Sequence, residues 1–170
     1  MICNLRKILS LLICGLILWL FLGLGNPYPA VAAVSQMEEA PGQILVRSRH
    51  TLQDETGKSW QVVLFKRLKA GEGESLNLRL VGFPGVAEFS HPQPLEITAA
   101  KGEALTAADR FAAGAPAANV GEWDLLEILP QLPKNSPVRL SLPLGQNQSL
   151  KMRVPLPVVL EWQDIATRKY

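Results

Sequence analysis

The chain has 170 residues, with 17 Lys and Arg against 15 Asp and Glu and a formal net charge of +2. Arg6 and Lys7 are the basic residues that precede Val34, so the remainder is formally neutral and offers no bulk attraction to a nucleic-acid backbone. Both cysteines, Cys3 and Cys14, also precede Val34, which excludes a disulfide staple, a cysteine nucleophile and a cysteine metal site from everything after it.

Residues 1–33 have the layout of a signal peptide. Arg6 and Lys7 form a positive start, Ile8 to Leu24 is an apolar run, Asn26 to Pro29 breaks it, and Ala30-Val31-Ala32 places small residues where a signal peptidase reads. No twin arginine is present, which points to the general secretion route. Ile13 before Cys14 argues against a lipoprotein. An uncleaved anchor is the alternative, although the apolar run is shorter than the about 20 residues that span a bilayer untilted. Residues 34–42 read as a flexible lead and residues 43–170 as one domain, held by its core alone.

From Gln43 to Leu52, Ile44, Val46, Ser48 and His50 alternate with Leu45, Arg47, Arg49 and Thr51, the period of a strand with a basic outer face. Asp54 to Gly57 supplies a turn, and Ser59 to Lys69 returns as the second arm of a hairpin. Leu76 to Phe83 continues the meander, and Pro84 and Gly85 stop it at a corner. Pro92 and Pro94 carry an extended crossing into Leu95 to Thr98, and Lys101-Gly102 turns the chain back towards Ala104 to Ala107. Ala108 to Val120 has no clean period and reads as a long packed loop. Asp124, with Glu127 three residues on, is placed to cap a short helix near 124–129. Val138, Leu140 and Leu142, then Leu150, Met152 and Val154, form a second hairpin around Gly145-Gln146-Asn147, with Arg139, Lys151 and Arg153 outward. Pro157 opens a C-terminal helix near 157–167. The pattern predicts an all-β antiparallel sandwich of about seven to eight strands with two small helical decorations.

Chemistry-bearing residues are sparse. His91, Glu88 three residues before it, and His50 are the candidate metal ligands, and a metal-dependent envelope enzyme is the corresponding reading; packing of both histidines is the simpler one. No serine elbow, Ser-x-x-Lys set or phosphate loop is present after the leader, and Glu122, Asp124 and Glu127 fit the cap and solvent face of a helix better than a glycosidase pair. These features point away from an enzyme and imply no cofactor. Arg47, Arg49, Arg79, Arg139, Lys151 and Arg153 all take the outward phase, so one sheet could present a basic stripe to anionic lipid or to a membrane protein complex. The loop from Phe111 to Trp123 is a candidate contact surface, and a groove including Trp123 or Trp60 would suit a small ligand or carbohydrate. Asn147-Gln148-Ser149 matches a glycosylation sequon.

The strings QVVLFKRLK, LRLVGFPGVAEFSHPQPLEI, GAPAANVGEWDLLEILPQLP and VPLPVVLEWQ resemble an uncharacterised family of small exported cyanobacterial proteins, a domain of unknown function. That resemblance runs from about Gly42 to Gln163. It implies a thylakoid-lumenal or periplasmic location and carries over no activity and no site residue.

Overall fold

A computed structural model describes residues 34–85, 87–99, 104–145 and 148–169. The expected signal peptide, the turn at Lys101-Gly102, and Gln146 and Asn147 of the second hairpin turn and sequon lie outside these residues. Among the described residues nine strands form two antiparallel sheets. The first, in the order β1-β2-β3-β4-β7, contains β1(Ser35–Ala40), β2(Gln43–Gln53), β3(Ser59–Lys69), β4(Gly73–Val81) and β7(Val120–Asp124). The second, in the order β6-β5-β8-β9, contains β5(Leu95–Ala99), β6(Ala104–Ala107), β8(Val138–Leu144) and β9(Gln148–Val154). The helix α1(Leu156–Thr167) follows.

The inward phases of both sheets meet in one core. Val46, Val62, Leu64, Leu76, Leu78, Leu80 and Trp123 come from the first sheet, and Leu95, Ile97, Val138, Leu140, Leu142, Met152 and Val154 from the second. Burying each large aliphatic side chain stabilises the fold by about 1.5–3 kcal/mol before entropy is counted. The inward phase of β2 includes the polar Ser48 and His50, that of β3 includes Lys66, and α1 meets His50 and Lys66. His50 Nε2 lies 3.0 Å from Glu161 Oε1, while the buried Lys66 donates to the carbonyls of Ala166 and Arg168 at 2.8 and 3.1 Å. The helix therefore packs where the second sheet stops.

The β2–β3 turn is built around one carboxylate. Asp54 Oδ1 accepts from the amides of Thr56 and Lys58 and from Thr56 Oγ1, and Oδ2 accepts from the indole of buried Trp60 at 2.8 Å. After β4 the chain leaves the first sheet through the corner at Phe83-Pro84-Gly85, where Gly85 has φ +74°, a conformation that a β-branched residue adopts only under strain. Phe89 then bridges to Leu144 of the second sheet, and the crossing enters β5.

Three expectations differ from this fold. Residues 35–40 are an edge strand rather than a flexible lead: SQMEEA has no apolar alternation, but Pro41-Gly42 makes a tight turn and the backbone pairs from Ser35↔Arg47 to Ala40↔Gln43. The segment expected to form a helix near 124–129 instead begins as the end of β7, passes through turns, and closes in a 3-10 helix at Leu129–Gln131. Asp124 does cap locally, accepting from the Leu126 amide at 3.0 Å. The long loop is shorter than expected because Val120–Asp124 joins β4, with Leu80 opposite Gly121 and Leu78 opposite Trp123. An added Cβ at Gly121 would lie 2.2 Å from Trp123 Cη2, so the glycine exists to let the indole lie back along its own strand.

Candidate functional site

The six outward cations do not form one stripe. Arg47, Arg49 and Arg79 belong to β2 and β4 of the five-stranded sheet, whereas Arg139, Lys151 and Arg153 belong to β8 and β9 of the four-stranded sheet, on the opposite outer face. Outward phase alone cannot say which sheet a strand joins.

On the five-stranded face most of the positive charge is used internally. Arg79 reaches Glu122 Oε2 through Nε and Nη2 at 2.8 and 2.6 Å, and Arg47 Nε donates to Ser35 Oγ at 2.9 Å. Arg67 donates to Glu39 at 2.8 and 3.2 Å; the same contact holds the Glu39 carboxyl below its ordinary range and raises the guanidinium further. The guanidinium carbons of Arg67 and Arg79 stand 4.9 and 5.3 Å from the Phe65 ring centre, and Phe65 is consequently buried on an outer face. This is a covered apolar patch with paired charges. Arg49, opposite Val63, is exposed.

The four-stranded face is different. Arg139 stands directly opposite Arg153, and Lys151 lies two residues along β9, opposite Ser141. Their neighbours Val138, Leu140, Met152 and Val154 are buried, so strand alternation turns all three cations to solvent, and all three are exposed. Side chains directly opposite in an antiparallel pair sit about 5 Å apart at Cβ, and like charges there destabilise the pair by a fraction of a kcal/mol. None of the three forms an ion pair among the described residues. Glu96, two strands away across Ser141, marks one side of the cluster. Glu55, whose Oε1 accepts from the Lys151 amide at 3.4 Å, marks the other. The arrangement can accept carboxylate or phosphate oxygens through two guanidinium forks and an ammonium.

The histidines do not come together. His50 is held by Glu161, and His91 Nδ1 lies 2.6 Å from Asp109 Oδ2. Among the described residues no group of three His, Cys, Asp or Glu could hold a metal ion. Glu88, the third proposed ligand, is exposed. The Asp109 carboxylate also accepts from the amides of Gln93 and Phe111 at 3.1 and 2.8 Å, and the imidazole contacts the rings of Phe89 and Phe111. As the carboxylate must accept, Nδ1 carries the proton. The pair fastens the crossing to the loop after β6, and His91 Nε2 is buried with no hydrogen-bond partner among the described residues. Asp109 was one of several scattered carboxylates in the sequence, and its distance of 18 residues from His91 gave no local signal.

Trp123 is not a contact residue. It is fully buried, with its indole donating to Gln93 O at 3.0 Å, and Trp60 and Trp162 are buried as well. A sugar-stacking platform built on Trp123 or Trp60 is therefore absent. The loop before β7 retains exposed positions at residues 112–114 and 116–118.

Comparison with protein families matches residues 32–165 to a family described as a protein of unknown function, DUF3122. Comparisons with curated proteins and with solved structures returned no match.

Proposed function

We propose that this chain, which belongs to the DUF3122 family, is a non-enzymatic exported domain that docks on an anionic membrane surface through the outer face of its four-stranded sheet. The observation that carries this reading is the opposed Arg139–Arg153 pair, exposed and without an ion-pair partner among the described residues, with Lys151 beside it. A sheet face meant only for solvent would gain by placing an acid opposite one of these arginines, as Glu122 stands opposite Arg79 on the other sheet. An external anion turns the repulsion into shared coordination. Phosphate oxygens of lipid headgroups suit two guanidinium forks.

The leader residues Arg6 to Ala32 support delivery by the general secretion route to the lumenal or periplasmic side of a membrane. Among the described residues no helix is long and apolar enough to cross a membrane, so attachment by that domain would be peripheral. The packing of His91 and His50 against separate carboxylates supports the non-enzymatic part of the reading.

Cosedimentation with phosphatidylglycerol vesicles tests it. The wild type should pellet, and Arg139→Glu/Arg153→Glu should stay in the supernatant with an unchanged melting temperature. Equal pelleting of the two would sink the assignment of this face. Binding to native membranes but not to lipid vesicles would favour an acidic membrane protein instead.

A further inference from the structure

The outer face of the four-stranded sheet is not flat beside its cations. After Phe89 the crossing runs along the end of β8, where the Ser90 amide donates to Pro143 O at 3.1 Å and the Gly145 amide donates to Glu88 O at 2.8 Å. The crossing forms one side of a pocket of about 310 Å³ whose other sides come from β5, β8 and β9. Ser141 lines this pocket and stands opposite Lys151, so the pocket opens directly beside the basic cluster. Arg139 and Arg153 lie two residues away along the same strands, about 7 Å at the rise of a strand.

The polar groups of the pocket are available to a ligand. Ser90, Glu96, Ser141 and Ser149 line it, and none of their side chains makes a hydrogen bond or ion pair among the described residues. Glu96 and Ser149 are exposed; Ser90 and Ser141 are half-buried, and their hydroxyls still reach the surface. Charge then sorts what fits. The Glu96 carboxylate repels a phosphate inside the pocket and accepts from hydroxyls, while the serines can both donate and accept. Arg139, Lys151 and Arg153 attract the phosphate to the pocket's edge. A molecule that satisfies both halves carries one phosphate joined by a short link to neutral hydroxyls.

We propose that this pocket takes the hydroxyl-bearing end of an anionic lipid headgroup, as in phosphatidylglycerol, while Arg139, Lys151 and Arg153 hold its phosphate. The inference rests on the docking of this face on an anionic membrane, and adds to it a choice among lipids of equal charge.

Partition into phosphatidylcholine vesicles containing an equal fraction of either phosphatidylglycerol or phosphatidylpropanol tests it. The two anionic lipids share charge and headgroup length, and the second lacks both hydroxyls. The wild type should prefer phosphatidylglycerol about tenfold, a factor within reach of two neutral hydrogen bonds. Ser90→Ala/Ser141→Ala should cut that preference to about twofold, with phosphatidylpropanol binding and the melting temperature unchanged. Binding to both lipids without preference, or a preference retained by the double variant, would overturn this inference and leave the docking of the face standing. Binding to neither anionic lipid would overturn both.

Discussion

Replacing Asp54 by asparagine tests how the first hairpin is anchored. Burial pushes this carboxyl up, but hydrogen bonds from Thr56 Oγ1, the Trp60 indole and the amides of Lys58 and Thr56 outweigh it and hold the group below the ordinary carboxylate range. Asparagine keeps the shape and loses one acceptor atom. Turning its nitrogen towards Trp60 would leave a buried indole donor facing another donor, so the cheaper choice points it at the exposed Thr56 and Lys58, where water replaces part of the loss. The net cost is about 2 kcal/mol, one to two charge-assisted hydrogen bonds. For a domain of this size that lowers the melting temperature by about 8 °C. Because the folded carboxyl titrates below the unfolded one, its stabilisation is complete above the unfolded value of about 3.9 and is lost as pH falls through the folded value. Thermal unfolding followed by tryptophan fluorescence should therefore show a gap between wild type and Asp54→Asn at neutral pH that narrows below about pH 4. Equal midpoints at neutral pH, or a gap undiminished in acid, would refute the anchoring role.

Gly121→Ala should be far more damaging than an ordinary Gly→Ala change, by about 3 kcal/mol in urea unfolding, because the new methyl meets the buried Trp123 ring at 2.2 Å. An unchanged midpoint would mean that the indole does not lie along β7. Gly85→Val should cost about 1–2 kcal/mol through backbone strain alone, since a Cβ there meets nothing within 4 Å and φ is +74°; a midpoint equal to wild type would remove the corner's requirement for glycine.

Much of the fold was legible because its central strands carry period-two alternation. Val62, Leu64, Leu76, Leu78 and Leu80, and likewise Val138, Leu140, Met152 and Val154, are buried as that spacing requires. The strands that were missed lack such a pattern for physical reasons. β1 is almost wholly exposed and is held by backbone pairing and by cross-strand contacts such as Glu39 with Arg67. β7 reads VGEWD, in which Gly121 serves the neighbouring indole and Glu122 is buried beneath Arg79. Both lend their residues to tertiary contacts that no local window contains.

The candidate surfaces were legible in part. Outward phase identified the cations but could not sort them between sheets, so a single stripe dissolved into a self-paired face and an unpaired one. The sequence predicted the hairpin but not its register, and the Arg139–Arg153 opposition comes from that register. Lys66 continues the inward phase of Val62 and Leu64, and a lysine in that phase is the signal that another element must receive it; only the packed helix reveals that Ala166 O and Arg168 O do so.

The central claim is that Arg139, Lys151 and Arg153 meet a lipid surface, and the partition of the wild-type protein between water and vesicles tests it most directly. Each cation near an anionic bilayer contributes about 1 kcal/mol, so the three together should favour phosphatidylglycerol over phosphatidylcholine vesicles by about 100-fold at ~0.1 M salt. At ~1 M salt, where screening acts within about 3 Å, the preference should collapse. Equal partition into both lipids, or a preference that survives high salt, would contradict the account.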